Sequence, residues 1–215
     1  MPMARLLITA GPTRAYLDDV RFLTNASSGR MAASLAVAAI GAGHEVTIVS
    51  GPVACRYPAA ARVEGVTTTD EMLAAALEVL PRVDGVIAAA APCDFQPAER
   101  VKGKIPRSGT RLTLHLEPTV DVVATLARRA RRGQWVVAFA LEVGADRDRA
   151  VAKAVAKRCD LIVCNGLPAL ESSRTRVDVY EPSGTHLGGR AGSKRAVARW
   201  LVALFDERFP SPRRR

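Results

Sequence analysis

The amino-acid sequence predicts an α/β fold of three layers, a mainly parallel sheet flanked by helices. Two observations carry the prediction. Arg5 to Ala10 is a continuous run with branched apolar residues, of the kind buried on both faces in a parallel sheet. After it, strand and helix patterns alternate for most of the 215 residues, as repeated βα units require.

Taken in order, the first strand leads into a loop from Gly11 to Ala26. A helix then starts near Ser27 or Ser28, either of which suits an N-cap, and ends at Gly43, placed as a glycine C-cap. Glu45 to Ser50 reads as the second strand. Thr69, followed by Asp70 and Glu71, opens a second helix that runs to about Leu80. Val86 to Ala91, Gln134 to Leu141 and Leu161 to Cys164 are further strands, separated by helices over Asp121 to Arg131 and Asp146 to Lys157. The rhythm is Rossmann-like. Two segments break it and read as hairpins. One joins Lys104 to Pro106 with Leu112 to Leu116 through a Ser108-Gly109 turn; the other joins Val177 to Tyr180 with Thr185 to Leu187. A final helix runs from Ser193 to about Arg208, and Pro210 to Arg215 is a basic tail.

Lys and Arg number 31 against 21 Asp and Glu, a net charge of +10 with a pI near 10.2. That excess fits nucleic acid, an anionic membrane or phosphorylated small molecules. No apolar stretch approaches the roughly 18 residues of a membrane helix, and the short N-terminal apolar run is a strand rather than a signal peptide. Cys55, Cys93, Cys159 and Cys164 form no CxxC pair, so neither zinc nor a disulfide framework is expected, and the thiols read as reduced in a cytoplasmic protein. His44, His115 and His186 have no partner at metal or triad spacing.

Ligands of open parallel sheets bind beyond the carboxyl ends of the strands. The loop after the first strand places Gly11 near Asn25-Ala26-Ser27-Ser28-Gly29-Arg30 at a helix start, where backbone N–H groups favour an anion. The plain alternative is a capped helix. Cys93 follows an alanine run, and without a nearby His it reads as a small loop thiol rather than a nucleophile. Lys153 and Lys157, spaced i, i+4, share a helix face and repel unless solvated or matched to anions.

Together these loops make the sequence resemble the phosphopantothenoylcysteine synthetase family, the ligase step of coenzyme A biosynthesis. The resemblance rests on Ile8 to Arg14, Asp19 to Met31, Ala89 to Ala91 leading to Asp94-Phe95, Gly103-Lys104-Ile105, and Lys153/Lys157 followed by Asp160 to Asn165. It implies one synthetase domain over residues 1–209, followed by the tail at 210–215. It also implies a ligase that joins 4'-phosphopantothenate to cysteine through an acyl-cytidylate, using CTP and Mg²⁺. The family domain is commonly fused to an FMN-dependent decarboxylase; here a stand-alone synthetase is expected, with no flavin and with a separate decarboxylase as a partner.

By the same resemblance, Asn25 and Lys104 are catalytic, with Lys104 on a flap over the site. Ala88, Asp94, Lys104, Val120, Asp121, Val122, Val123, Phe139, Lys153 and Lys157 bind nucleotide. Gly11, Asn25, Ser27, Ser28, Gly29, Ala90 and Ala91 bind substrate, and no protein side chain is assigned to metal. A homodimer is implied, with neither nucleic acid nor membrane as partner. Ala32 and Pro92-Cys93 depart from the usual family residues; neither removes a proposed catalytic side chain.

Two other functions make different demands. A nicotinamide-dependent oxidoreductase calls for GxGxxG and an acid about 20 residues on, whereas Ser50-Gly51-Pro52 follows the second strand. A nucleic-acid binder calls for aromatics among the basic residues, and aromatics are only 5% of this chain.

Overall fold

The computed structural model describes residues 3–109, 111–141, 147–166 and 173–210. The expected basic tail therefore lies almost wholly outside the described residues. Strand β1 (Arg5–Ala10) is buried after its first residue. The expected loop after it contains a hairpin of β2 (Arg14–Tyr16) and β3 (Phe22–Thr24). Three residues per strand are too few to stand out as a period in sequence; the hairpin is held by an edge contact of Tyr16 with Phe22 and by Arg14 over the Phe22 ring at 4.2 Å.

Helix α1 (Arg30–Gly41) is capped by Gly29 at φ 69°, with no side-chain cap bond. This corrects the expected Ser27 or Ser28 cap. The chain leaves α1 through Gly43 at φ 92°, the left-handed position that the C-cap reading anticipated. Strands β4 (Glu45–Ser50) and β5 (Arg62–Gly65) follow, then α2 (Thr69–Val79). Its N-cap is Thr68 rather than Thr69: Thr68 Oγ1 accepts from the Glu71 N–H and the Glu71 carboxylate accepts from the Thr68 N–H, a capping box. Strand β6 (Gly85–Ala88) ends three residues earlier than expected.

The first expected hairpin is corrected in its pairing. Strand β7 (Phe95–Pro97) pairs with β8 (Leu116–Pro118), and Lys104 to Pro106 lies in the long excursion between them. The expected strand over Leu112 to Leu116 is also corrected: residues 112–115 lie outside any strand, and β8 begins only at Leu116. Helix α3 (Val122–Arg129) precedes β9 (Trp135–Leu141), and α4 (Arg147–Lys157) precedes β10 (Leu161–Asn165). The C-terminal hairpin of β11 (Arg174–Tyr180) and β12 (His186–Ser193) forms as expected but longer. Helix α5 (Lys194–Arg208) is capped by Ser193, whose Oγ accepts from the Ala196 N–H.

The main sheet has the order β12-β11-β10-β9-β6-β1-β4-β5. The strands from β10 to β5 are mutually parallel, whereas β11 and β12 are antiparallel additions. The chain proceeds from β1 outward through β4 and β5, then returns to place β6 on the other side of β1. That reversal is the topological switch point, where α/β sheets open a ligand crevice. Alternate residues of β1 feed opposite cores: Leu6 and Ile8 pack with Leu35, Leu201 and Phe205 of α1 and α5. Leu7 packs with Met72, Leu126 and Ala154 of α2, α3 and α4. Each such fully buried side chain stabilises the fold by about 1.5–3 kcal/mol.

His44 is buried at the amino ends of the strands. Its Nδ1 accepts from the Ala4 N–H at 3.1 Å and its Nε2 lies 3.0 Å from Asp206, tying α5 to the start of β4. Among the described residues no helix is long and apolar enough to cross a membrane.

At the other end, backbone approach is close. A Cβ on Gly51 would lie 1.6 Å from the Pro12 carbonyl oxygen, which belongs to the backbone and cannot swing aside. Gly51→Ala is expected to cost about 3 kcal/mol or more, at the severe end of overpacking. The effect would be read as a lower urea midpoint with an unchanged m-value; an unshifted midpoint would mean that these two strand ends separate cheaply.

Candidate active site

A cleft of about 130 Å³ opens at the switch point. One wall is Ser27, Ser28, Gly29 and the first turn of α1; another is Ala89 to Ala91 beyond β6; Phe139, Leu141 and Asn165 close it from the ends of β9 and β10. Gly29 is required twice over. Its φ is +69°, and a Cβ there would meet Val53 Cγ1 at 2.8 Å. Gly29 carries no side chain to cap α1, and a helix start of this kind favours an anion. The alanines keep that wall low while their backbone is pinned: Ala89 N–H donates to Thr9 and Ala91 N–H to Gly11 at 2.8 Å.

Asn25 stands at the rim and is exposed. Its Nδ2 donates to the carbonyls of Pro92 at 2.8 Å and Ala91 at 3.3 Å, which fixes the orientation of the amide. Below it, Cys93 is buried. Its N–H donates to Thr13 Oγ1 at 2.8 Å, its Sγ lies 3.3 Å from the Thr13 carbonyl, and Thr13 Oγ1 meets Thr69 Oγ1 at 2.8 Å. Cys93 is thus a loop thiol that knits β1, β3 and α2 together, as the plain sequence reading expected.

Lys104 is exposed on the excursion between β7 and β8, beside Arg21 and Arg107. The residues on either side of it are clamped. Gly103 N–H donates to Asp19 at 2.8 Å and Ile105 N–H to Asp18 at 3.0 Å; Arg21 donates to the Ile105 carbonyl at 3.0 Å. Asp18 also accepts from the Val20 and Arg21 N–H groups. Burial acts to raise its carboxyl, but these three N–H donors and the Arg21 charge outweigh it and hold the group below the ordinary carboxylate range. The Gly103 N–H and Arg100 do the same for Asp19.

A third cluster lies at the start of α3. Asp121 caps that helix through the Ala124 N–H at 2.9 Å and accepts from Lys157 Nζ at 2.7 Å. Burial tends to raise the Asp121 carboxyl, but the Ala124 N–H and Lys157 together lower it. Lys157 is therefore matched to a carboxylate, one of the ways in which the expected like-charge face of Lys153 and Lys157 is relieved. Val122 is buried in the core and Val123 packs against it, leaving mainly their backbone for a ligand. Asp94 is exposed, and its carbonyl accepts from the Thr119 N–H, linking the β6–β7 loop to the approach to α3. Ala88 is buried at the end of β6, and Gly11 turns the chain at φ +71°.

The cleft thus gathers Ser27, Ser28, Gly29, Ala90, Ala91 and Phe139; Asn25 touches its rim, whereas Lys104 and the Asp121–Lys157 pair occupy separate clusters. Arg30, read from the sequence as part of the anion-favouring helix start, also lines the cleft, whereas sequence reasoning missed Asn165 and Lys194 as cleft residues. Asn165 had the signal of a strand end. Lys194 had a subtler one: Lys194-Arg195 puts two cations at the start of a helix, where the dipole disfavours them. It is only 8% exposed. Burial, and then the neighbouring Arg30, push its ammonium below the usual lysine range.

The strand order, with a cleft at its reversal, defines an α/β domain of the doubly wound class. The chain matches the family of the DNA/pantothenate metabolism flavoprotein C-terminal domain over residues 1–207 and belongs to it. The coenzyme A biosynthesis bifunctional protein CoaBC of Vibrio cholerae is 38% identical over 211 residues, 95% of this chain and 53% of that protein. A cysteine/cysteine sulfinic acid decarboxylase from an unknown prokaryotic organism is 40% identical over 164 residues, 76% of this chain and 46% of that protein. The chain spans about half the length of these relatives. A crystal structure of the C-terminal domain of CoaBC superposes with a TM-score of 0.82 at 32% identity, covering 97% of this chain and 96% of that one. The expected synthetase family and α/β fold are both borne out.

Proposed function

We propose that this domain is a phosphopantothenate–cysteine ligase of coenzyme A biosynthesis. The observation that carries the reading is the cleft at the switch point, which joins an uncapped helix N-terminus to an alanine-walled, backbone-lined floor. In this reading the 4'-phosphopantothenate carboxylate attacks the α-phosphorus of CTP. An oxygen–phosphorus bond forms and pyrophosphate leaves. The cysteine amine then attacks the acyl carbon, CMP departs and the amine loses a proton. Activation supplies the leaving group, so the protein contributes alignment and charge stabilisation.

Asn25 would place an amide over the acyl oxygen by giving up its longer bond to the Ala91 carbonyl. Ala90, Ala91 and Gly11 would offer backbone to the pantothenate arm, and Ser27, Ser28 and Gly29 would face substrate phosphate. Ala88, Asp94, Val120 to Val123 and Phe139 would bound the nucleotide, with Lys104, Lys153 and Lys157 supplying positive charge. Among the described residues no three His, Cys, Asp or Glu side chains gather as a metal site; in this reading the triphosphate would carry its own Mg²⁺, which would supply charge neutralisation. A cytoplasmic homodimer completes the proposal.

The test is incubation with 4'-phosphopantothenate, cysteine and Mg²⁺ against CTP, ATP, GTP and UTP. Pyrophosphate release that is fastest with CTP is expected. No release with any nucleotide would overturn the ligase reading, and equal rates with all four would remove CTP as its preferred substrate.

A further inference from the structure

We propose that Lys194 is an anion-binding residue of the cleft, whose ammonium, opposite the uncapped first turn of α1, receives a phosphoryl group of a phosphate-bearing substrate. Lys194 is only 8% exposed and lines the cleft. Among the described residues its ammonium has no hydrogen-bond or ion-pair partner. A charge removed from water is costly unless paired. Here the cost is compounded, because Arg30 on the same wall is also a cation and the first turn of α5 is the positive end of its helix.

The position is nevertheless firmly built. Ser193 caps α5, and the Lys194 N–H donates to the Ser173 carbonyl at 3.0 Å, so the backbone that carries the side chain is fixed. Across the cleft, α1 starts at Gly29, which carries no side chain to cap its first turn. A phosphoryl group between the two would relieve the burial of Lys194, accept from α1 and offset the repulsion from Arg30. A cleft of about 130 Å³ has room for such a group, being several times the ~30 Å³ share of one water.

The identity of the phosphate bearer rests on the ligase reading, which supplies two sources, the nucleotide and 4'-phosphopantothenate. Calorimetric titration of wild type, Lys194→Met and Lys194→Arg with CTP, inorganic pyrophosphate and 4'-phosphopantothenate separates them. Affinity for at least one ligand is expected to fall about tenfold or more in Lys194→Met, the loss of one charge-assisted hydrogen bond, and to recover in part in Lys194→Arg. The melting temperature without ligand should hold or rise in Lys194→Met, because an unpaired buried charge is removed; a purely structural lysine would lower it. Lys194→Gln serves the same comparison if the methionine variant does not fold. Unchanged affinity for all three ligands, or no binding of any of them by wild type, overturns the assignment. A wild-type protein that binds pyrophosphate through Lys194 yet makes no product would overturn the ligase reading and leave Lys194 standing.

Discussion

Asn25→Ala is expected to lower turnover by about a hundredfold to a thousandfold, the usual loss of one donor aimed at developing charge, with a nearly unchanged unfolding midpoint. The two effects separate because of where the side chain sits. Asn25 is exposed, and its amide is bonded to the Ala91 and Pro92 carbonyls rather than packed in a core. Truncation removes two exposed hydrogen bonds, worth at most about 1 kcal/mol each, while β1, β6 and α1 keep their own ladders. What is lost is an amide that bridges the β3–α1 loop to the carbonyls of Ala91 and Pro92. Asn25→Asp should also stall, since a carboxylate oxygen would face the two carbonyls that the amide now serves. The check is kcat from pyrophosphate release alongside urea unfolding. Turnover within about threefold of wild type would remove Asn25 from the proposed chemistry.

Lys104→Gln is expected to reduce kcat/KM by about a hundredfold or more, as loss of a cation that stabilises phosphoryl charge implies, again with little effect on folding. Lys104 is exposed and buries nothing, so its charge is dispensable for stability. The architecture around it is not casual. Asp19 holds Gly103 and Asp18 holds Ile105, so the backbone on both sides of Lys104 is fixed to the turn between β2 and β3 while the side chain stays free to reach. Lys102 provides the control: it is equally exposed, lies two residues away and outside the Gly103–Ile105 clamp, and Lys102→Gln should stay within about twofold of wild type. Wild-type kinetics for Lys104→Gln would remove the flap from the mechanism.

The residues differ in how openly the sequence displays them. The strands β1, β4, β9 and β10 were legible because each is an apolar run with its own period, and the C-terminal hairpin because a Pro-Ser-Gly turn joins its two arms. The β2–β3 hairpin and β5 were not, since three or four residues of mixed polarity carry no period. The α1 cap was misplaced for a related reason. Ser27 and Ser28 are good caps in isolation, but the close approach of Val53, Cys55 and Tyr57 to Gly29 admits only glycine at the turn into the helix, and the hydroxyls are released to the cleft wall. The excursion between β7 and β8 shows the limit of local pattern: alternation pointed to a strand over Leu112 to Leu116, yet the strand is Leu116–Pro118 and its partner is β7, chosen by the path of the loop after β6.

By itself the sequence determined the parallel sheet with helices on both faces, because periodicity and branched apolar runs are properties of consecutive residues. It also carried the family, through motifs that stand in order along the chain. Only the tertiary structure decided which charges are matched. Lys157 is neutralised by Asp121, 36 residues away, whereas Lys194, an ordinary-looking lysine in the first turn of the last helix, is buried in the cleft formed by the first helix and the ends of β6, β9 and β10. Electrostatic consequence depends on distance through space and on exclusion of water, and neither is written in the order of the residues.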